Sequence, residues 1–265
     1  MQKPPFPFSE RALMRVRIIP STRDGQHQLL TSYLINDTLA IDAGAIAIGL
    51  SHEQQRAIRS IVITHTHLDH IVSLPLYITE MFEELREPVR LFATASDFEA
   101  LTTYIFNPRV WISLSILKNQ HTELLSWQKM ESGVAFATEG ITITPIPVDH
   151  TVQTHAMLAE DEESAVLFTS DTGTTDDIWA VANNCPKLRA VFIDVSFPAS
   201  LTELGRASRH HSVTTLMEEM EKIPATAKVY AIHLKPIHRQ QITREIAEIN
   251  HPRIVVAEIG EEYHF

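Results

Sequence analysis

A single cysteine, Cys185, is all the thiol chemistry that this 265-residue chain carries. No intramolecular disulfide can form, which fits a reducing compartment. Cys185 stands beside Pro186 between two apolar segments and reads as structural rather than nucleophilic. Runs of Lys and Arg are also missing. The 22 basic residues face 33 acidic ones, for a net charge of -11 with histidine neutral. A surface of that sign repels polyanions, so a large RNA or DNA partner is not expected. A small phosphate-bearing ligand stays open, because metal ions would dominate the field inside a site. No apolar run reaches the length of a membrane span. Met1 to Glu10 holds prolines and phenylalanines without a continuous apolar core, so no secretory signal is expected and the cytoplasm is the default location. The remainder, 44% hydrophobic and 21% charged, is ordinary for a soluble globular protein, and the length suits one large domain or two small ones.

Apolar periodicity and turn residues predict the elements in outline. Residues 1–12 read as a loose arm. Strands are expected at Met14 to Ile19, Leu29 to Ile35 and Leu39 to Ile41, the last two joined by a turn at Asn36-Asp37. A helix from about Ile46 to Ser60 follows, then a buried strand at Ser60 to Ile63 and a helix at Leu74 to Glu84. Val89 to Ala93 is a strand, and Ser96-Asp97 would cap a helix running to Phe106. Asn107 to Met130 is expected to be loop with some strand. Two hairpins come next, Val134–Thr138 with Ile141–Val148 and His155–Ala159 with Ala165–Thr169. Strands at Ala190–Val195, Ala227–Ile232 and Arg253–Ala257 then alternate with four helices. These begin after Asp176 and span Leu201–Ser208, Ser212–Lys222 and Gln240–Ile249. Strands followed by helices in each half predict an α/β fold of two packed sheets with helices outside, a four-layer αββα sandwich.

The stretch that organises this pattern is Thr64-His65-Thr66-His67-Leu68-Asp69-His70. It leaves a strand end, where His65 and His67 point the same way because side chains alternate with period two. Asp69 and His70 lie beyond the extended path and can face a second point nearby. The spacing therefore suits two adjacent metal ions better than one. Imidazoles with a carboxylate are a zinc ligand set, which manganese and iron also accept. A histidine-rich loop without metal is the plainer alternative, but so many polar groups at one strand end are costly to bury without a cation. Three further groups end strands in the same manner: His150 in Val148-Asp149-His150, Asp171 in Ser170-Asp171-Thr172-Gly173, and His233 in His233-Leu234-Lys235-Pro236.

His65-x-His67-x-Asp69-His70 followed by His150, Asp171 and His233 resembles the metallo-β-lactamase superfamily across nearly the whole chain. The stretches His65–Ile71 with Leu74-Pro75-Leu76, Asp194-Val195-Ser196-Phe197-Pro198 and His233-Leu234-Lys235-Pro236 are similar to class II cyclic-nucleotide phosphodiesterases. That resemblance implies a single domain over 1–265 holding two divalent ions, zinc first, with manganese or iron as alternatives. It places His65, His67 and His150 on one metal and Asp69, His70 and His233 on the other, bridged by Asp171 and a hydroxide. Asp42 in Ile41-Asp42-Ala43-Gly44 matches the family's early aspartate, a residue that supports the ligands. Within Arg209-His210-His211-Ser212, His210 aligns with the family's histidine near the phosphate, and His211 is the competing choice.

The implied reaction is hydrolysis of cyclic AMP or cyclic GMP to a 5′ monophosphate, with Asp69 and His210 as the catalytic side chains. Rival expectations are an RNase Z-like tRNA 3′-processing nuclease, a thioester or lactone hydrolase, and a non-catalytic nucleotide-binding sensor. The chain departs from the family in its loops. Pro20-Ser21-Thr22-Arg23-Asp24-Gly25 replaces a glycine-rich turn, His155 stands where glycine is common, and only 8 glycines occur in all. His155 could therefore support the site. His27, His52, His121, His238, His251 and His264 read as surface residues. A homodimer is the common default for such a protein.

Overall fold

Along the strands of this protein alternate side chains belong to different hydrophobic clusters, and that alternation defines its layers. In the computed structural model, which describes residues 13–22 and 28–265, Leu39 and Ile41 join one cluster while Ala40 between them joins another. Phe192 and Val191 divide in the same way. A strand buried on both faces is the physical meaning of such a continuous apolar run. The expected loose arm and His27 lie outside the described residues.

The strands in chain order are β1 Arg15–Ile18, β2 Tyr33–Ile35, β3 Leu39–Ile41, β4 Ser60–Val62, β5 Val89–Ala93, β6 Leu125–Lys129, β7 Phe136–Thr138, β8 Ile141–Val148, β9 Thr154–Glu160, β10 Ala165–Phe168, β11 Leu188–Asp194, β12 Lys228–Ile232, β13 Ile254–Val256 and β14 Glu262–His264. They form two seven-stranded sheets, ordered β14-β1-β2-β3-β4-β5-β6 and β13-β12-β11-β10-β9-β8-β7. The helices are α1 Ile46–Gly49, α2 His52–Ala57, α3 Leu68–Ile71, α4 Leu74–Glu80, α5 Ala95–Ala100, α6 Asp177–Asn183, α7 Thr202–Ser208, α8 Val213–Met220 and α9 Arg239–Ile249. Between the sheets, Tyr33, Phe168, Phe192 and Tyr230 pack ring on ring, with centroids 4.9 Å to 5.3 Å apart for successive pairs. On one outer face α1 and α4 cover the first sheet, and on the other α6, α8 and α9 cover the second. The architecture is the expected αββα sandwich.

The local differences from expectation have local causes. The helix expected over Ile46 to Ser60 is broken at extended Leu50, and Ser51 opens α2 by accepting from the Gln54 amide in a capping box. The strand expected from Leu29 pairs only from Tyr33. The amides of Leu29 and Leu30 donate to Ser21 Oγ and that of Thr31 donates to the Asp69 carbonyl, so none is left for the ladder. Thr94, rather than Ser96 or Asp97, caps α5 by accepting from the Asp97 amide. A π-helical turn at Leu101–Ile105 carries that helix on. The α4 helix stops at Glu80, short of Glu84. Residues 107–130 hold a 3-10 turn at Leu114–Ile116 and edge strand β6. Strand β14 was not expected, because Glu262-Tyr263-His264 has no apolar run, and its pairing with β1 is long-range.

The turns at Asn36-Asp37 and Glu139-Gly140 occur as predicted, each with two residues at positive φ, the hairpin geometry that Asn, Asp and Gly tolerate. Strands β3, β4 and β5 run parallel, as do β10, β11 and β12. Their C-terminal ends carry the chemistry.

Candidate metal centre

Every side chain singled out for metal binding follows a strand. Asp42 follows β3, residues 65–70 follow β4, His150 follows β8, Asp171 follows β10 and His233 follows β12. The structure brings the last seven together in two groups that share Asp171. In the first, His65 Nε2 lies 3.1 Å and His150 Nε2 lies 3.2 Å from His67 Nδ1. Asp171 Oδ2 is 3.9 Å from both of those Nε2 atoms. For a tetrahedral zinc with bonds near 2.05 Å, neighbouring ligand atoms are about 3.3 Å apart. Both distances to His67 Nδ1 are close to that separation, with the carboxylate slightly wide of it.

The second group places His70 Nε2 3.3 Å from Asp171 Oδ1 and His233 Nε2 3.2 Å from Asp69 Oδ2. His233 Nε2 lies 3.6 Å from Asp171 Oδ1, and His70 Nε2 lies 4.0 Å from Asp69 Oδ2. One oxygen of Asp171 therefore faces each group. His70 Nε2 is buried and has no hydrogen-bond partner among the described residues. A buried ring nitrogen left in that state is costly, and a cation would satisfy it. The donor set and its spacing fit divalent metal ions.

What lies behind the rings orients them. Asp42 Oδ2 is 2.7 Å from His70 Nδ1 and also accepts from the Thr64 hydroxyl. Because that hydroxyl proton is committed to Asp42, Thr64 Oγ1 can only accept from His65 Nδ1 at 3.1 Å. The Arg209 carbonyl accepts from His150 Nδ1 at 3.1 Å. Ser196 donates to Asp194 and lies 3.0 Å from His233 Nδ1. Each of these four imidazoles thus presents Nε2 to the centre, the arrangement by which outer partners fix a metal-binding tautomer. His67 alone presents Nδ1, with Nε2 3.5 Å from Thr151 Oγ1.

The electrostatics divide in the same way. Burial pushes His65, His67 and His150 below the usual histidine range, which favours the neutral imidazoles that coordinate a metal. Burial would lower His70 as well, but the carboxylates of Asp171 and Asp42 outweigh it and raise it. His233 is pushed up to about 9, against burial, by Asp171 and by hydrogen bonds to Asp194 and Asp69. Burial alone would raise Asp171, Asp69 and Asp194, yet the facing histidines hold all three below the ordinary carboxylate range. The second group is thus built for positive charge.

His210 borders the centre. Its Nδ1 is 2.6 Å from Asp194 Oδ2, and its ring stacks on His233 at 5.5 Å between centroids. Its neighbour His211 is fully buried, with Nδ1 3.1 Å from Thr215 Oγ1, and takes no part in the two groups. Asp194 and Ser196 were legible as part of a motif, but nothing in the sequence assigned them the task of holding two histidines. An aspartate at a strand end with a serine two residues on was the available signal. Backbone strain gathers here too. Asp42, Ser170, Arg209 and His233 all sit at φ of 56° to 60°, a region non-glycine residues rarely enter and that clusters at functional sites.

The model of the family described as Anti-Pycsar protein Apyc1 matches residues 24–249. The chain belongs to the Apyc1 family. Its relatives include a Yersinia pestis protein named "Probable 3',5'-cyclic-nucleotide phosphodiesterase", 23% identical over 80% of this chain and 75% of that one. Among solved structures, unliganded yeast PDE1 superposes with a TM-score of 0.78 at 15% identity, covering 96% of this chain and all of the other. The metallo-β-lactamase fold protein YhfI from Bacillus subtilis gives 0.75 at 16% identity, again over 96% of this chain and all of that one. The fold of this Apyc1-family chain is that of the metallo-β-lactamases.

Other sequence expectations fall away from the centre. His155 is buried in β9, where its amide donates to the Thr64 carbonyl; its ring belongs to neither group. His52, His121 and His264 are exposed, and His238 and His251 are half-buried. Burial and Glu160 raise the Cys185 thiol, which argues against a nucleophile. Among the described residues no helix is long and apolar enough to cross a membrane.

Proposed function

We propose that this protein is a metal-dependent phosphodiesterase that opens 3′,5′-cyclic nucleotides to 5′ monophosphates. The observation that carries the reading is the pair of side-chain groups sharing Asp171, with His210 held by Asp194 at their edge. In this reading His65, His67, His150 and Asp171 hold one divalent ion, and Asp69, His70, His233 and Asp171 hold the other. Zinc is the ion that best suits three imidazoles and a carboxylate. When bound, two such ions would supply an ionised water near neutral pH and would offset charge on a phosphoryl oxygen.

The chain's own residues do the rest. Asp69, whose side chain is 30% exposed, accepts from the attacking water and sets its direction. Water oxygen bonds to phosphorus as the phosphorus–3′ oxygen bond breaks in line with it. His210 gives the departing 3′ oxygen its proton, and Asp194 holds that ring at Nδ1 so that Nε2 faces outward. The names of the Yersinia pestis relative and of yeast PDE1 support a phosphodiester substrate. A net charge of -11 argues for a small substrate over tRNA. A homodimer in the cytoplasm remains part of the proposal.

The test is a panel on purified protein: cyclic AMP, cyclic GMP, an RNA 3′ end, a thioester and a lactone, each with and without chelator. Chelator-sensitive cleavage of a cyclic nucleotide at the highest kcat/KM is expected. Preference for the thioester or lactone, or turnover that survives complete metal removal, would overturn the assignment.

A further inference from the structure

Arg209 lies outside the seven converging side chains, yet it touches the centre in three ways. Helix α7 closes in a Schellman turn, with the Arg209 amide donating to the Arg206 carbonyl and the His210 amide to the Gly205 carbonyl. The residue that turn needs in the left-handed region is usually glycine. Here it is Arg209, at φ 57° and ψ 52°. Its carbonyl oxygen receives His150 Nδ1 at 3.1 Å. Its guanidinium reaches back over the same loop, donating from Nη1 to the His150 carbonyl at 2.5 Å and lying 3.2 Å from Asp149 Oδ1.

We propose that Arg209 is a positioning residue that clasps His150 by ring and backbone and thereby sets both the first metal group and the emergence of His210. The left-handed turn aims the next residue, His210, at Asp194. The clasp locks the loop after β8 to the loop after α7. A second tie runs from this loop to the one bearing Asp171, because the Gly173 amide donates to the Asp149 carbonyl at 2.9 Å. The Arg209–Asp149 ion pair is about half exposed on both sides, so its charge alone contributes little. What matters more is that one guanidinium nitrogen, Nη1, sits between a backbone carbonyl and a carboxylate, and the planar group fixes its direction in a way that a flexible lysine ammonium does not. A side chain other than glycine in a glycine position is accounted for by what that side chain grips.

This inference rests on the two-metal reading and is tested partly apart from it. The variants are Arg209→Gly, which suits the turn and removes only the guanidinium's grip, and Arg209→Lys, which keeps the charge. Zinc affinity is read on metal-stripped protein by competition with a chromophoric chelator, and turnover on bis(p-nitrophenyl) phosphate. Arg209→Gly keeps the carbonyl that receives His150 Nδ1 and loses only the grip on the loop backbone, so it should weaken the first zinc by up to about 10-fold, less than outright loss of a ring partner. It should lower kcat with KM within about twofold, and its melting temperature should hold because glycine favours the turn. Arg209→Lys should fall between the two. Wild-type zinc affinity and kcat in Arg209→Gly would overturn the proposal, as would a loss confined to KM, which would make Arg209 a substrate contact. Wild-type protein that takes up no zinc would sink the two-metal reading along with this one.

Discussion

Asp42 Oδ2 lies 2.7 Å from His70 Nδ1, and both side chains are almost completely buried. Asp42 also accepts from the Thr64 amide and hydroxyl, each at 2.8 Å, so it is fixed before it meets the ring. Removing it would leave a buried imidazole without its anchor. Asp42→Ala should therefore weaken zinc at the second group by about 10–100-fold, with a smaller effect on the first, which Asp42 reaches only through Thr64 and His65. Titration of metal-stripped protein checks this: two zinc equivalents bound at wild-type affinity would refute the role given to Asp42.

Asp171 is the one side chain common to both groups, with Oδ1 toward His70 and Oδ2 toward His65 and His150. Asp171→Ala should lose both metal ions and all measurable turnover, because neither group keeps a bridging carboxylate. Elemental analysis of the purified variant decides it. Full metal content with full activity would dismantle the shared-carboxylate scheme.

How much of this was readable beforehand follows the range of the interactions. The seven converging residues were legible because they lie just past the ends of short apolar strands, with Asp69 and His70 in the α3 turn that follows β4, and such runs are local features. The choice of His210 over His211 was not legible from the residues themselves, since adjacent histidines differ only in which way α7 and its left-handed turn point them. Burial of His211 against α8 and pairing of His210 with Asp194 are tertiary facts. The shortened β2 shares that origin, because Ser21 and Asp69 capture amides that a sequence window assigns to a strand, whereas the break at Leu50 is local, set by the Ser51–Gln54 capping box. Strand β14 exists only because β1 offers it an edge.

His210 borders the centre without belonging to either group, so its loss should separate catalysis from metal binding. His210→Ala should keep the zinc content of the wild type and lower kcat by about 10²–10⁴-fold, the range for a general acid. Asp194→Asn should also lower kcat, and in addition disturb His233, which Asp194 approaches to 3.5 Å. Unchanged kinetics in His210→Ala on the cleaved cyclic nucleotide would reject the proton-donor role.

Gly44 marks the tightest approach behind the centre. A Cβ there would lie 1.9 Å from the Asp69 carbonyl oxygen and 2.8 Å from that of Thr31, both of them backbone atoms. Neither can yield cheaply, because the Gly44 amide donates to the Thr31 carbonyl and the Thr31 amide donates to the Asp69 carbonyl. Gly44→Ala should cost roughly 1–3 kcal/mol, the range for overpacking, and displace the loop carrying Asp69 and His70. A lower melting temperature with reduced zinc uptake is expected. Wild-type values for both would show that the loop has slack the structure does not display.

His211 contributes one separable part of the pH dependence of stability. It is fully buried, and burial pushes it down to about 4 against the pull of Asp194. Its folded value lies below the ordinary unfolded one of about 6.5, so the unfolded chain takes up the proton first as pH falls. The contribution to stability is therefore fully present above about 6.5 and disappears as pH drops toward 4. Over that window it amounts to roughly 3 kcal/mol, at 1.36 kcal/mol per unit. Other buried histidines add slopes of their own, so the measurement must be a difference between two proteins. Denaturant unfolding of metal-stripped wild type and His211→Asn at pH 7.5 and 5.0 provides it. Asparagine offers a polar atom toward Thr215 and cannot titrate. The variant should lose less stability on acidification, by about one proton's worth of slope between the unfolded and folded values. Parallel loss in the two proteins would mean that His211 is already protonated in the fold, or is solvated on acidification.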